Sequence, residues 1–352
     1  MTNPSRMFKR TIGIDYSGAE TAEASLKGLR VYQTIDDERA QEVLPPPGPK
    51  KYWTRRGLAD WLANQLDGSV PTIVGIDHAF SFPIRYFERH SLEPDWYSFL
   101  EDFCAHWPTD QAHTYVDFVR HGNVGNGAAR EGDSRWRRLT EEATRSAKSV
   151  FHFDVQGSVA KSTHAGIPWL RHLRRALPSL HFWPFDGWCP DAGASVIAET
   201  YPRLWSAKYP RDERTGDQHD AYSIARWLQE ADQDGDLAAA FAAPEPAPVA
   251  ATALVEGWIL GSAWPPADKA KPVERKRSTT SAKTTRPGFI NRNNQEVLRK
   301  TDLPGNDHNQ VVYIIQCRRC GERYGVNGSD IFQRRCPTCA GGRPGLSIDD
   351  EL

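Results

Sequence analysis

Four cysteines near the C-terminal end decide how part of this chain can fold. Cys317-x2-Cys320 is followed by fifteen residues and then Cys336-x2-Cys339. Two CxxC pairs at that separation have the spacing of a zinc ribbon, each pair forming one knuckle and the four thiolates closing a tetrahedral Zn²⁺ site. A site closed by four thiolates is structural, because no coordination position is left for a reacting group. Residues 288–345 are too few to build a sizeable core, so the ion must supply much of the folding energy. The apolar run 310–316 predicts a strand, and Asn327-Gly-Ser a turn after it. Arg318, Arg319, Arg334 and Arg335 flank the ligands and either meet phosphates or stay solvated. Cys104 and Cys189 stand alone and read as packing residues.

The remaining length asks for a second, larger domain. The chain has 352 residues, 39% of them hydrophobic, with twelve Trp, which excludes a wholly disordered polypeptide. A formal net charge of -1 excludes a global field for nucleic acid, so any basic surface must be local. The first residues lack the apolar run of a signal peptide, and no stretch approaches the roughly 20 apolar residues of a membrane span. The expectation is a cytoplasmic protein with no membrane partner. Residues 263–287 read as a flexible linker. Between 265 and 287 seven Lys and Arg face two acids, a bias of +5 that serves either a solvated spacer or a salt-sensitive tether to phosphates.

In residues 8–262 the pattern predicts strands at 10–17, 24–32, 71–77, 180–185 and 194–199. Thr54 is placed to N-cap a helix to about Leu66. Further helices are expected at His219–Ala231 and Ala251–Leu260, with a mostly loop region at 121–148. Two strands end almost identically: Ile-Gly-Ile-Asp at 12–15 and Val-Gly-Ile-Asp at 74–77. Alternate strand residues share a face, so Gly13 lies under Asp15 and Gly75 under Asp77, leaving room for an ion or a phosphate. If the strands are neighbours, the carboxylates converge. Glu199 ends another strand. Asp217 and Asp220 extend the stripe Ala221, Ile224, Ala225, Leu228, and so are expected to face the sheet rather than water.

Clustered carboxylates repel one another, and Mg²⁺ or Mn²⁺ resolves the conflict, since hard cations take oxygen ligands. Two such ions can activate a water and stabilise the leaving oxygen of a phosphodiester. Each acid also admits a plainer role: Asp217 as an N-cap, Asp220 in a first helical turn, Glu199 paired with a base, Asp15 in a turn, Asp77 capping a helix.

The segments Thr11–Gly18, Ile73–Phe80, 156–170, Glu199-Thr-Tyr-Pro202, His219-Asp-Ala-Tyr222 and Glu256-Gly-Trp-Ile259 resemble landmarks of a bacterial family of predicted RNase H-like nucleases. The resemblance spans about residues 8–262. It implies an α/β fold with a mixed five-stranded sheet flanked by helices. It also implies acids on the first strand (Asp15), the fourth strand (Asp77) and a late helix (Asp220), with Glu199 matching a family acid of unassigned role. The chain departs from that pattern at Ser223, where family members often carry a second helix acid. The tail similarly looks like a zinc ribbon attached to assorted bacterial proteins.

The segment around Lys161, Ser162 and His164, with Arg171 on a following helix, is read as a substrate-binding surface for DNA or RNA or, alternatively, as a solvated helix face with a structural histidine. The leading expectation is therefore a metal-dependent nuclease. Its catalytic residues would be Asp15, Asp77, Glu199, Asp217 and Asp220, with Mg²⁺ or Mn²⁺ on Asp15, Asp77 and Asp220. Two alternatives stand beside it. One is a non-catalytic nucleic-acid-binding protein. The other is an ATP-dependent phosphotransferase of the actin-like fold, whose first loop would be Asp-Tyr-Ser-Gly at 15–18.

Overall fold

In a computed structural model the chain divides into two compact units, residues 1–268 and 269–352. The structure describes residues 6–144, 146–155, 157–264, 283–305 and 310–348. Most of the expected linker, at 265–282, lies outside the described residues.

The first unit is built on a mixed sheet. Its strands are β1 (Arg10–Asp15), β2 (Arg30–Ile35), β3 (Gln41–Glu42), β4 (Thr72–Asp77), β5 (His181–Trp183) and β6 (Val196–Glu199), ordered β3-β2-β1-β4-β6-β5. β2 runs antiparallel to β1 and β3, whereas β4 runs parallel to β1, and β6 parallel to both β4 and β5. The helices are α1 (Arg55–Gln65), α2 (Ile84–His90), α3 (Trp96–His106), α4 (Val116–Arg120), α5 (Leu139–Ala143), α6 (Ala160–Ala176), α7 (Gly216–Asp234), α8 (Asp236–Ala240) and α9 (Ala247–Glu256).

Alternation of side chains divides the sheet faces. Ile12, Ile14, Val74 and Ile76 join one core with Leu58 and Leu62 of α1, Phe99 of α3, and Leu170 and Leu173 of α6. The opposite face carries Gly13 and Gly75, and there α7 lies directly on the strands. A Cβ at Gly13 would stand 2.2 Å from Ala221 O and 2.5 Å from Ala225 N, and one at Gly75 would stand 2.6 Å from Ile224 Cγ2. The space expected for an ion is thus filled by α7, and the two glycines are what lets a helix backbone settle on the sheet.

Several elements differ from the sequence expectation for identifiable reasons. The sheet has six strands, not five, because the two-residue β3 adds an edge. The first return strand begins at Arg30 rather than Ala24, since Leu26 and Leu29 are buried from a loop. The last helix lies at 247–256 rather than 251–260, starting just after Pro246. Segment 156–170 does not precede a separate helix: α6 runs through Pro168. Pro168 has no N–H for the carbonyl of His164, and Thr109 Oγ1 donates to that carbonyl instead, at 2.7 Å. Thr54 caps α1 as expected, its side chain accepting from Gly57 N.

The second unit contains an antiparallel sheet, β7 (Gln295–Pro304), β8 (Val311–Cys317) and β9 (Arg323–Asn327). Its cores are small; the larger holds Val297, Ile315, Tyr324, Val326, Ile331 and the ligand-type residues Cys317 and Cys336. Among the described residues no helix is long and apolar enough to cross a membrane.

Candidate functional site

The four cysteines of the second unit come together as their spacing requires. Cys317 Sγ lies 3.6 Å from Cys339 Sγ and Cys320 Sγ 3.5 Å from Cys336 Sγ, with all four sulfurs within 4.8 Å of one another. A tetrahedron with Zn–S bonds of about 2.3 Å has edges of about 3.8 Å, so the donor set fits zinc. Each knuckle closes on its first cysteine. Gly321 N donates to Cys317 O, and Gly321 needs its φ of +79° to complete the turn. Ala340 N and Gly342 N both donate to Cys336 O.

In the first unit, parallel pairing places Asp15 opposite Asp77 at the ends of β1 and β4. On this face, Ile224 of α7 lies over both Gly13 and Gly75, and Asp220 is one helical turn earlier. The charges interact accordingly. Burial, then the charges of Asp77, Asp220 and Asp217, hold the Asp15 carboxyl well above its ordinary range, with Arg30 opposing. Asp77 is raised by burial, Asp220 and Glu199. Asp220 is raised by burial, opposed by His219 and reinforced by Asp217. Among the described residues, none of Asp15, Asp77, Asp217 and Asp220 has its carboxylate in an ion pair or hydrogen bond.

The loops leading from both strand ends are locked. Arg55, fully buried, donates to the carbonyls of Ser17, Ala19 and Glu20 just beyond Asp15. Ala79 N, beyond Asp77, donates to Thr163 Oγ1 on α6. Gly18 packs against the backbone of Lys161 so closely that a Cβ there would lie 2.1 Å from it. These supports fix the strand ends rather than leaving them on mobile loops.

Other expected site residues take different places. Glu199 is buried and tied bidentately to Arg138, with Nη2–Oε1 at 2.6 Å and Nη1–Oε2 at 2.7 Å, and it also accepts from Phe80 N. It is part of a buried ion network rather than a free ligand. Asp217 is exposed in the first turn of α7, and the capping role falls to Thr215, in a capping box with Gln218. Its charge still reaches Asp15 and Asp220.

The expected substrate surface is not assembled. Ser162 is spent on Val159 O, and Lys161 pairs with Asp117. Arg171 lies 3.3 Å from Glu101 and 3.9 Å from Asp110. His164 is buried among Phe82, Phe103, Trp107 and Phe153, and donates to Ala160 O. Burial pushes its pKa down to about 3, so it is neutral and structural. Ser223 is also turned inward, donating to His219 O.

Arg138, Arg30 and His78 have no local signal in the sequence. Arg138 lies in the stretch read as loop, yet it is 1% exposed and pairs with both Glu199 and Glu141. Burial pushes the Glu141 carboxyl up to about 7 against the pull of Arg138. Removing Arg138 would strand two buried carboxylates. Arg138→Met is expected to cost about 3–5 kcal/mol, read as a lower urea midpoint at unchanged slope. A loss under about 1 kcal/mol would show that the network is not desolvated as described. Arg30 faces Asp15 across the β1–β2 ladder but is engaged by Glu42 at 2.9 Å. His78, next to Asp77, is packed against Tyr16 and has its pKa pushed down to about 4 by burial.

The raised acids make metal-free stability depend on pH. A carboxyl whose folded pKa exceeds its unfolded value contributes stability below the ordinary Asp range and loses it as pH rises through the raised value. A cation that binds the ionised site offsets that loss. Mn²⁺ is therefore expected to raise the Tm of the zinc-loaded protein more at about pH 7.5 than at about pH 5. An equal rise at both values would remove the acids as its cause.

Comparisons with protein-family models, with curated proteins and with solved structures find no match for this chain.

Proposed function

We propose that the first unit is a divalent-metal-dependent nuclease of RNase H-like architecture, hydrolysing phosphodiester bonds of DNA or RNA. One observation carries the reading. Two aspartates end adjacent parallel strands in register, and a third lies on a helix seated on those strands, with no basic side chain among the described residues paired to any of the three. Asp15, Asp77 and Asp220 are half-buried, and proteins rarely withdraw like charges from water without partners unless the site has work for them. The topology supports the reading too, with acids at the ends of the first and fourth strands of a mixed sheet and on a late helix.

Hard oxygen donors that raise one another's pKa fit Mg²⁺ or Mn²⁺, and bound ions of that kind supply Lewis acidity and an activated water. Asp15 and Asp77 would hold the metal from the sheet and Asp220 from the helix. Asp217, at the mouth, adds negative charge. Arg138 keeps Glu199 out of the donor set. His78 and His164, neutral and packed, move no proton, so proton transfer falls to the carboxylates and water.

The test is to incubate the full zinc-loaded chain with end-labelled single- and double-stranded DNA and RNA, with Mg²⁺, with Mn²⁺, or with neither. Cleavage is expected only with an added metal. Cleavage without either metal, or no cleavage of any substrate with both, overturns the proposal. One observation favours a non-catalytic binding role. Among the described residues the cysteines are the only group of three or more metal-ligating side chains whose donor atoms all lie within 4.8 Å of one another. Binding without cleavage would select that role. The phosphotransferase alternative needs two copies of the core, and the described residues of the first unit form one sheet of this kind.

A further inference from the structure

We infer that the second unit grips single-stranded nucleic acid in a groove beside its second cysteine knuckle. The groove has a volume of about 490 Å³ and is lined by Arg334, Arg335 and Arg343, with Asp330 as its acid and Gly341 and Gly342 in its wall. Arg335 and Arg343 are exposed, and among the described residues neither side chain makes an ion pair or hydrogen bond. Arg334 is engaged differently. It donates to the carbonyls of Arg343 and Pro344, tying two segments of the groove together. Gly341 adopts a φ of +59° and has open space where a Cβ would stand. A ligand can therefore approach its backbone closely.

The arginines suit a phosphate, since each guanidinium is a permanently charged planar fork. The surrounding charge agrees: residues 283–348 hold eleven Lys and Arg against five Asp and Glu. Phe332 separates a nucleic acid from other polyanions. It is 49% exposed, two residues before Arg334, with the Arg292 guanidinium 5.7 Å from its ring centre. The Asn293 side chain donates to Gln333 O and Arg334 O, which holds the Arg292 turn against this segment. An exposed ring that carries the Arg292 guanidinium and stands two and three residues before the groove-lining Arg334 and Arg335 is a stacking platform for a base near a seat for its phosphate. Bases inside a duplex are already stacked, so a single strand is the form that can use Phe332.

This inference invokes no residue of the first unit and stands apart from the cleavage reading. Its test uses the full zinc-loaded chain without added Mg²⁺ or Mn²⁺, titrated into a fluorescein-labelled oligothymidine or oligouridine and followed by anisotropy. The double variant Arg335→Glu, Arg343→Glu is expected to weaken binding about tenfold or more, and to flatten the log–log salt slope by roughly 1.4, two phosphate contacts of about 0.7 each. Phe332→Ala is expected to weaken binding about fivefold or more with the salt slope unchanged. Both variants should keep a full zinc complement, because these side chains are exposed. Unchanged binding by the double variant overturns the inference. So does a duplex bound as tightly as the single strand, or an acidic peptide displacing the oligonucleotide at equal concentration. Metal-dependent cleavage alongside any of these results would sink the groove and spare the nuclease reading. The expected binding results without cleavage would do the reverse.

Discussion

Cys336→Ser is expected to unfold the second unit of the full chain while the first keeps its structure. The reason is the size of the cores. The larger core of the second unit holds seven buried residues, two of which are the cysteines themselves. The first unit holds its own extensive cores around the sheet. Structural zinc sites of this type supply about 10–16 kcal/mol of apparent binding free energy, while whole domains are stable by about 5–15 kcal/mol. Losing one buried thiolate removes more than such a small module has in reserve. Calorimetry of the wild type should show two transitions, and the variant or a chelated sample should lose one. Amide signals from residues 283–305 and 310–348 should collapse to unfolded shifts. If they stay dispersed in the variant, the strands hold without the ion, and zinc is not what folds the unit.

Asp15→Asn should do two things that rarely go together: abolish metal-dependent cleavage and make the metal-free protein more stable. Asparagine keeps the shape of the side chain but removes the charge that Asp77, Asp220 and Asp217 oppose. Relief of that repulsion should raise the Tm in the absence of Mn²⁺, and the shift given by Mn²⁺ should shrink. Loss of a metal ligand at the reacting centre should lower the cleavage rate by roughly 10³-fold, equivalent to ~4 kcal/mol of transition-state stabilisation. Glu199→Gln is the informative contrast. It neutralises an acid of the same region but takes away the bidentate partner of a buried arginine, so it should destabilise. Two acids near one site would then move Tm in opposite directions. If Asp15→Asn lost stability as Glu199→Gln does, the carboxylate would be structural, and the proposed site would lose its central member.

The parts of the fold that are legible in the sequence are those written in local chemistry. Thr54 announces α1 because a hydroxyl satisfies a helix-end N–H wherever the helix lies. The twin Gly-Ile-Asp endings announce two strands of one kind, and the cysteine spacing announces two knuckles. What stays hidden depends on partners distant in the chain. Nothing local distinguishes Arg138 from the exposed Arg135 nearby; its burial follows from Glu199, 61 positions away. His164 looks available for chemistry as long as its helix is taken to begin later; Thr109 and a shell of aromatic rings decide otherwise. Asp217 lies outside the buried stripe although it stands one turn before Ala221, because burial begins only after the first turn of α7, at His219. Gly13 and Gly75 stand out in the sequence as missing side chains, but the space they leave is taken by another part of the chain and not by a ligand.

The seat those glycines make has a mechanical corollary. Because α7 meets β1 backbone to backbone at Gly13 and presses the Ile224 side chain onto β4 at Gly75, the spacing between its acid and the two strand-end acids is set by close contact with little room to absorb displacement. A single added methyl at Gly13 would act as a shim, lifting the helix and opening the gap between charges without altering any acid. The gauge of the site is therefore written in the two residues that have no side chain at all.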